Sequence, residues 1–365
     1  MPGAKPLTDD QVRRLRTSAQ HLHRSYRRSA VDLVRHLAGV QAQVLSAAGL
    51  ALRARTEGLT AEQVDRARLS DRSIVLTWAM RGTLHLIAAE DYSWLQPLVI
   101  EPRIANAHRR LREEGVPADQ PAKAVRLIAR MLEREGPLVR SEIAERLRRQ
   151  GIRTEGQAIA HLVWLAAAQG VICYGPDRDG EQCFVLVRDW LGKQKPMEPE
   201  AALVELAVRY LTAHAPATPA DMAFWSGLRL SDAKRAWAAI QDRLVAMETD
   251  RGTRWALPSH EGPAPRGLVR LLPAFDEYLL GWRERAIVAS VEQWSRVNRG
   301  GGWLHPVVVH DGRLVATWRM ERSSKTLSIE IRPFDRLPAA VARGVATEAA
   351  GVATFFNSSA NLVLA

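Results

Sequence analysis

The feature that most restricts the fold of this chain is an order of secondary-structure elements that occurs three times. Its clearest copy lies between Lys123 and Trp190. Apolar residues recur at helical spacing over 143–147 and again over 159–165, and Gly170 is well placed to end the second helix. Two β-prone runs on either side of a Gly- and Asp-rich turn then predict a hairpin. Helix, turn, helix and hairpin in this order are typical of a winged helix.

A second copy of this order is predicted in the N-terminal third of the chain. Its helices are expected over Thr60–Leu69 and Asp71–Met80, with a capping box between Thr60 and Gln63 at the start of the first. The segment Arg81–Ile87 is expected to form the wing strand that follows them.

The third copy begins at Thr218, which is expected to cap a helix that Gly227 stops. Ser231 is expected to open a long helix that reaches Leu244, and a strand pair is expected around 251–252. Three units with the same order indicate a structural repeat whose sequences have diverged.

The last hundred residues have a different pattern. Strands are predicted over 307–309, 314–318 and 327–331, and a helix is predicted from Pro338 to Phe356; the topology of this part stays open. The expected fold class is mainly α with β wings, an α+β chain of tandem winged-helix units followed by a C-terminal α/β region. The predicted domains are a first winged-helix unit with a helical connector (1–120), a second (121–195), a third (196–265) and the α/β region (266–365).

Charge indicates the kind of partner. Among 365 residues, Lys and Arg number 51 against 40 Asp and Glu, which gives a net charge of +11 and a pI near 10.3. Such an excess favours a polyanion, of which nucleic acid is the commonest, although an Arg-rich genome produces the same bias.

Several classes of protein are disfavoured by the sequence. Two cysteines are too few for a disulfide framework, and neither a signal core nor a membrane-length apolar run occurs, so a cytoplasmic protein without membrane contact is expected. His21 and His23 lack further ligands at metal-binding spacing, and no phosphate-binding loop or dinucleotide fingerprint is present. We therefore expect no metal and no cofactor.

The basic residues are unevenly distributed. Between Gln11 and His36, seven arginines stand against one acid, Asp32. We interpret this imbalance as a set of phosphate contacts, with a solvated helix face as the alternative. His85 lies between Leu84 and Leu86, so on a strand its side chain is expected to point away from the buried side that the two leucines share. There it would contact DNA or lie near the glutamines Gln41 and Gln43; a surface histidine without a role is the alternative. The expected DNA-binding residues are Arg13, Arg14, Arg16, Arg24, Arg27, Arg28, Arg81, His85, Arg283 and Arg285.

Two glutamines follow a predicted helix over Ser29–Leu37, which Gly39 is placed to end. Residues two apart share a face in an extended segment but not in a helix. Gln41 and Gln43 can therefore act together only if the segment from Val40 to Gln43 is extended. We expect a non-helical break there, with Ala42 turned into the fold. Their amides have no ionisable group but can orient a water or read a base edge. Capping of the neighbouring helices is the alternative.

The segment Gln41-Ala42-Gln43 resembles the glutamine–aliphatic–glutamine motif of the AlkZ family, which are winged-helix DNA glycosylases that excise bulky alkylated purines and unhook interstrand crosslinks. Three further segments, 81–86, 273–283 and 311–318, resemble parts of the same family in the same order. One branch of the family carries Asp at the second polar position. Since this chain has Gln43 there, it resembles the narrower branch that unhooks crosslinks.

The resemblance implies a monofunctional DNA glycosylase in which Gln41 and Gln43 are catalytic. Its expected reaction is hydrolysis of the N-glycosidic bond of N7-alkylated purines, including interstrand crosslinks, in DNA repair or in self-resistance to a genotoxic antibiotic. Its expected partner is double-stranded DNA, bound by a monomer. A guanine alkylated at N7 is already a cationic leaving group, so neutral amides that position water suffice.

Two alternatives compete with this assignment. A non-enzymatic winged-helix regulator would read an operator, but the candidate recognition helix at 158–168 is largely apolar. The adjacent carboxylates of Asp276 and Glu277 are the best rival acid/base pair. Because adjacent side chains on a strand point apart, we expect them instead to cap locally or to pair with Arg283 or Arg285.

Overall fold

The computed structural model describes residues 5–24, 26–298, 300–323 and 326–365. Contacts divide the chain into two compact units, one made of Met1–Asp65 with Leu203–Ala365 and the other of Arg66–Ala202. The finer division into four domains stays a prediction.

The first unit begins with short helices joined by tight turns. Its N-terminal elements are α1 (Asp9–Ala19), α2 (Ala30–His36), the two-residue strand β1 (Val40–Gln41), α3 (Leu45–Arg53) and α4 (Ala61–Leu69), which runs past the unit boundary. The predicted capping box before α4 is confirmed, because the side chains of Thr60 and Gln63 each accept a hydrogen bond from the other residue's backbone N–H.

The second unit contains the hairpin-bearing elements. They are β2 (Ile74–Trp78), β3 (Leu84–Ala88), α5 (Tyr92–Glu113), α6 (Gln120–Glu135), α7 (Arg140–Arg149), α8 (Ala158–Ala168), β4 (Ile172–Arg178), β5 (Glu181–Leu186) and α9 (Val187–Trp190). The order α7, α8, β4, β5 is the predicted winged helix, and its helices and wing pack around one apolar core that includes Ile128, Ile143, Leu162 and Phe184.

One sequence prediction fails in this unit. The segment Asp71–Met80 was expected to be a helix, but Ile74–Trp78 is a strand paired antiparallel with β3 and bridged to β4 at Tyr174. Ile74, Val75 and Thr77 are β-branched, and such residues pack well on a pleated surface while losing side-chain freedom in a helix. Cross-strand pairing therefore outweighs the helical spacing.

The chain returns to the first unit through α10 (Pro199–His214) and the third predicted winged helix. That region contains α11 (Pro219–Ser226), α12 (Leu230–Ala239) and the antiparallel pair β6 (Val245–Met247) and β7 (Arg254–Ala256). The predicted cap at Thr218 and the predicted end of α11 at Gly227 are both present. Thr218 forms a capping box with Asp221, and Gly227 is left-handed. The long helix expected from Ser231 to Leu244 is wrong in its extent, since it ends at Ala239 and one 3-10 turn follows.

The C-terminal region is a five-stranded sheet covered by a helix. Its elements are β8 (Val269–Leu272), α13 (Glu277–Leu280), α14 (Val291–Val297), β9 (Val307–His310), β10 (Arg313–Arg322), β11 (Thr326–Pro333), α15 (Ala339–Phe355) and β12 (Ser359–Leu364). The three strands and the helix predicted here are confirmed. The strand order is β12-β11-β10-β9-β8, antiparallel except for the β11–β12 pair that α15 connects.

The alternation of residues in β10 and β11 explains why this sheet forms. Leu314, Ala316 and Trp318 are buried on one strand, and Leu327, Ile329 and Ile331 are buried on the next, while the residues between them are more exposed. A sheet with one apolar face buries it under a helix, and α15 packs against β8, β11, β12 and α3.

A fully buried ion pair ties α3 to the turn after β8. Arg55 donates to both carboxylate oxygens of Asp276, at 2.9 and 2.8 Å, and also donates to the backbone oxygen of Ala51 and the side-chain oxygen of Gln20. Neither charged side chain is exposed at all. The prediction that the carboxylates of 276–277 pair with Arg283 or Arg285 is therefore wrong for Asp276, whereas the predicted local capping is confirmed by its bond from the Tyr278 N–H.

We expect Arg55→Met to lower the free energy of unfolding by about 3–5 kcal/mol, because it leaves the Asp276 carboxylate buried without its cation. Thermal and denaturant unfolding measure this loss. Arg149→Met is the matched control, since Arg149 pairs with Glu145 on an exposed helix face and such pairs contribute less than about 1 kcal/mol. Equal effects of the two substitutions would contradict the role given to the buried pair.

Candidate functional site

The predicted break before the glutamines is present. Helix α2 ends at His36, Ala38 and Gly39 have φ of 55° and 122°, and the Gly39 N–H donates to the backbone oxygen of Val34 at 3.0 Å. The φ of Gly39 lies where a residue with a Cβ is strained, so glycine suits this reversal of the chain. Strand β1 begins at the next residue.

The two glutamines occupy different environments. Ala42 is turned into the fold as predicted and is only 2% exposed, Gln41 is 6% exposed, and Gln43 is exposed. Helix α3 starts two residues after Gln43 and has no side-chain cap, so Gln43 does not serve as the cap that the alternative interpretation required. The Gln43 amide therefore faces solvent, while Gln41 is held inside the fold.

A buried carboxylate holds the backbone of this segment. The N–H of Gln41 donates to one carboxylate oxygen of Glu277 at 2.9 Å, and the indole N–H of Trp225 donates to the other at 2.9 Å. Glu277 is completely buried. Both of its oxygens thus accept hydrogen bonds, and one of these bonds holds the backbone of the glutamine segment.

The position of Glu277 follows from its neighbour. Asp276 caps the short helix α13 and forms an ion pair with Arg55. Because Asp276 is held in place, the position of the next residue, Glu277, beside the backbone of Gln41 is restricted as well. Sequence reasoning missed both Arg55 and Glu277 as supports of the site. Two acids within the otherwise apolar stretch 271–280 are a signal for buried and paired carboxylates, since Asp and Glu are almost never fully buried unless paired.

Neutral histidines lie at the end of α2. The rings of His21 and His36 have centroids 3.8 Å apart and form part of the wall of a cavity of about 240 Å³. Burial lowers the pKa of His36 to about 4 and that of His21 to about 2, with further lowering in each case by nearby cationic groups. Both rings are therefore uncharged at neutral pH.

Several of the arginines predicted to contact DNA are engaged inside the first unit. Arg16 is fully buried and stacks on the Trp282 ring at 4.3 Å, and Arg24 forms a two-pronged ion pair with Glu348. Arg13 and Arg14 donate to the backbone oxygens of residues 287 and 264. Phosphate contacts by these four residues stay a prediction without structural support, because their guanidinium groups already hold the fold together.

Glu348 accepts ion pairs from several arginines at once. Arg24 and Arg53 donate to its carboxylate at 2.8 Å each, and Arg270 lies 3.6 Å away. Burial raises the pKa of Glu348, but the three guanidinium groups outweigh that effect and hold it below its ordinary value. Part of the positive excess of the chain is thus used internally.

The other predicted DNA contacts are more open. Arg27 and Arg283 are exposed, Arg28 is half-buried beside the Tyr26 ring, and Arg285 packs over the rings of Phe224 and Trp294. These four lie in the first unit, and their exposure leaves the first three available to a phosphate.

Arg81 and His85 belong to the second unit. Arg81 is half-buried in the turn between β2 and β3, with a left-handed φ of 57°. The expectation that His85 points away from the buried side is wrong: it is 0% exposed, and its Nδ1 lies 2.9 Å from the backbone oxygen of Thr83. Strand β3 is buried from His85 through Ala88, so alternation does not bring His85 to the surface, and burial lowers its pKa to about 3.

Metal-binding clusters and membrane-spanning helices are both missing from the described parts of the chain. No group of three or more His, Cys, Asp or Glu side chains there is arranged to hold a metal ion. None of the helices described is long and apolar enough to cross a bilayer.

Comparison with known proteins identifies the class of this chain. The family model described as "DNA glycosylase AlkZ-like" matches residues 34–355, which include the glutamine segment and the Asp276–Glu277 turn. The chain therefore belongs to the AlkZ-like DNA glycosylase family. It is a DNA glycosylase, a hydrolase whose substrate is DNA.

Particular relatives agree over nearly the whole length. The "Interstrand DNA cross-link repair glycosylase" of Streptomyces sahachiroi is 32% identical over 376 aligned positions, which cover 94% of this chain and 95% of the relative. The solved structure of the Streptomyces sahachiroi DNA glycosylase AlkZ matches with a TM-score of 0.81 and 30% identity, covering 98% of this chain and 100% of that one. The α+β fold and the resemblance seen in the sequence are confirmed, and the regulator alternative is set aside.

We expect Glu277→Gln to slow base excision by roughly 10- to 100-fold without weakening DNA binding, because an amide cannot accept from both Gln41 and Trp225 and the segment shifts. Single-turnover excision and a binding titration measure the two effects separately. Glu292→Gln, on the exposed first turn of α14, is the matched control and should match the wild type. A normal excision rate in Glu277→Gln would refute the positioning role.

Proposed function

We propose that this protein hydrolyses the N-glycosidic bond of N7-alkylated purines in double-stranded DNA, interstrand crosslinks included. The crosslink part rests on the relative described as a cross-link repair glycosylase, which is aligned over 94% of this chain. The N7-alkyl part rests on the chemistry of the site, since the groups proposed to act are amides and not acids or bases. Repair in the cytoplasm, or self-resistance to a genotoxic antibiotic, is the proposed setting, and a monomer is the proposed acting form.

The observation that carries this proposal is the placement of the two glutamines in a fixed, non-helical break with Gln43 exposed. Gln41 and Gln43 are proposed to position the attacking water, with Gln43 reaching the reacting atoms from the solvent side. Gln41, anchored through its backbone to Glu277, keeps the segment from moving as the transition state forms.

The proposed reaction needs little help from an ionisable group. An N7-alkylated guanine carries a positive charge, so when its glycosidic bond breaks, the bonding electrons neutralise the departing base. The sugar develops oxocarbenium character, the oxygen of the water bonds to the anomeric carbon, and the proton of the water passes to solvent. Amides that hold the water and solvate the developing charge then supply most of the catalysis. An unmodified purine, which leaves as an anion, would need a strong acid.

Glu277 is not proposed as a general base. It is completely buried, and both of its oxygens already accept hydrogen bonds from Gln41 and Trp225. It acts as a positioning residue. No lysine lies in the glutamine segment, and a monofunctional, hydrolytic reaction without strand cleavage is proposed.

Phosphate contacts are proposed for Arg27, Arg28 and Arg283, the exposed or half-buried members of the predicted set in the first unit. Such contacts position the protein on the duplex without reading its sequence. The fully buried Arg16 has no place in this set.

We expect the double variant Gln41→Ala with Gln43→Ala to lose at least about 100-fold in excision rate while it keeps the affinity for DNA, because both amides are removed and no charge is changed. The measurement is single-turnover release of N7-alkylguanine from a duplex with one lesion, scored as abasic sites, beside a binding titration. Gln241→Ala, an exposed glutamine after α12, is the control. Unchanged excision per bound complex, or no base release by the wild type, would overturn the proposal.

A further inference from the structure

A second polar pocket lies wholly within the second unit. It has a volume of about 220 Å³ and is formed by the turn before β3 and by facing residues of α5 and α8. Its polar and aromatic lining consists of Arg81, Arg103, Asn106, Arg110, His161 and Trp164. We refer to it as the Arg103 pocket.

The charged side chains that line this pocket are all positive. Three guanidinium groups and no carboxylate line it. Arg110 is partly compensated from outside the pocket, since it donates to Glu113 at 3.0 Å. Arg103, by contrast, has no carboxylate partner within the described residues.

Arg103 is unusual among the partly buried arginines of this protein. Within the described residues it makes no hydrogen bond and no ion pair, and its Nε atom is buried without an acceptor. Burial alone lowers its pKa, with no carboxylate to oppose the effect. Arg24, Arg53 and Arg55, by contrast, each have a buried carboxylate partner.

An unpaired, half-buried guanidinium is costly to the fold, and such groups are ordinarily paired. Its planar fork matches a phosphate or carboxylate with two parallel hydrogen bonds. Neutral donors stand beside it on Asn106 and His161, and burial lowers the pKa of His161 so that its ring is uncharged at neutral pH. The pocket thus has the donors that an anion requires.

We propose that the Arg103 pocket binds a backbone phosphate of the DNA substrate, with Arg103 and Arg81 as the charged donors. The volume exceeds that of one phosphate and leaves room for the neighbouring sugar atoms, for which Trp164 offers an apolar wall. The proposal rests on DNA being the substrate of the family; it does not depend on the type of lesion or on the glutamines.

The test replaces Arg103 by methionine in the full chain and measures affinity for duplex DNA over a series of salt concentrations. The slope of log K against log salt is negative, and loss of one phosphate contact makes it shallower by about 0.9. Affinity should fall several-fold and by the same factor for undamaged and lesion-bearing duplexes, because a phosphate contact carries no sequence or lesion information. Arg126→Met, on an exposed position of α6, removes the same charge outside the pocket and should keep the wild-type slope.

Thermal unfolding separates this role from a structural one. Because Arg103 has no partner in the free protein, Arg103→Met should keep or raise the melting temperature, whereas a structural arginine would lower it. Excision per bound complex, measured at saturating protein, should equal that of the wild type, which distinguishes this proposal from failure of the glutamine mechanism.

The proposal is overturned if the DNA affinity and the salt slope of Arg103→Met equal those of the wild type. If, in addition, inorganic phosphate raises the melting temperature of the wild type but not that of the variant, the pocket binds a free anion and not DNA.

Discussion

One hydrogen bond, from the backbone of Gln41 to the buried carboxylate of Glu277, ties the glutamine segment of this protein to the turn that begins α13. The bond joins residues that are 236 positions apart in the chain. Both oxygens of this buried carboxylate accept hydrogen bonds, because Trp225 donates to the second one, and Arg55 neutralises the adjacent Asp276. The site therefore depends on a small set of buried polar contacts in an apolar surrounding, where each contact is strong and the loss of one leaves another unpaired.

The same principle explains how the protein uses its arginines. A net charge of +11 indicates a polyanionic partner, and the family acts on DNA. Yet Arg16 stacks on a buried tryptophan, and Arg24 and Arg53 share one buried glutamate. Arginine suits such positions because its planar, delocalised cation is weakly hydrated. Local density of arginine in the sequence is therefore a poor guide to the DNA-binding surface. Arg103, which has no carboxylate partner within the described residues, is for that reason the arginine proposed to bind a phosphate.

Local signals in the sequence were sufficient for much of the fold. The correct predictions include the capping box at Thr60, the cap at Thr218, the helix stop at Gly227 and the strands over 314–318 and 327–331, because each depends on residues a few positions apart. The break after α2 was predicted for the same reason. The strand Ile74–Trp78 was mistaken for a helix, since its conformation is decided by pairing with β3. The buried position of His85 has the same origin in tertiary packing.

The buried contacts that hold the glutamine segment could not be predicted from the sequence, because they join residues that are far apart in the chain. Arg55 and Asp276 are 221 positions apart, and nothing in the residues around either one specifies the other. The family resemblance supplied the glutamines, and the structure supplied what holds them. It also separated the pair: Gln41 belongs to the interior and Gln43 to the solvent side.

The most direct test of this account is a crystal structure of the full chain bound to a duplex in which a cationic azasugar replaces the deoxyribose of the lesion, since that group imitates the oxocarbenium-like transition state. The account predicts an ordered water that bonds to the amide of Gln41 or Gln43 and lies within about 3.5 Å of the anomeric position. It also predicts that the bond from Gln41 to Glu277 is kept. A structure in which both amides lie away from the sugar, or in which an ionisable side chain holds the water, would contradict it.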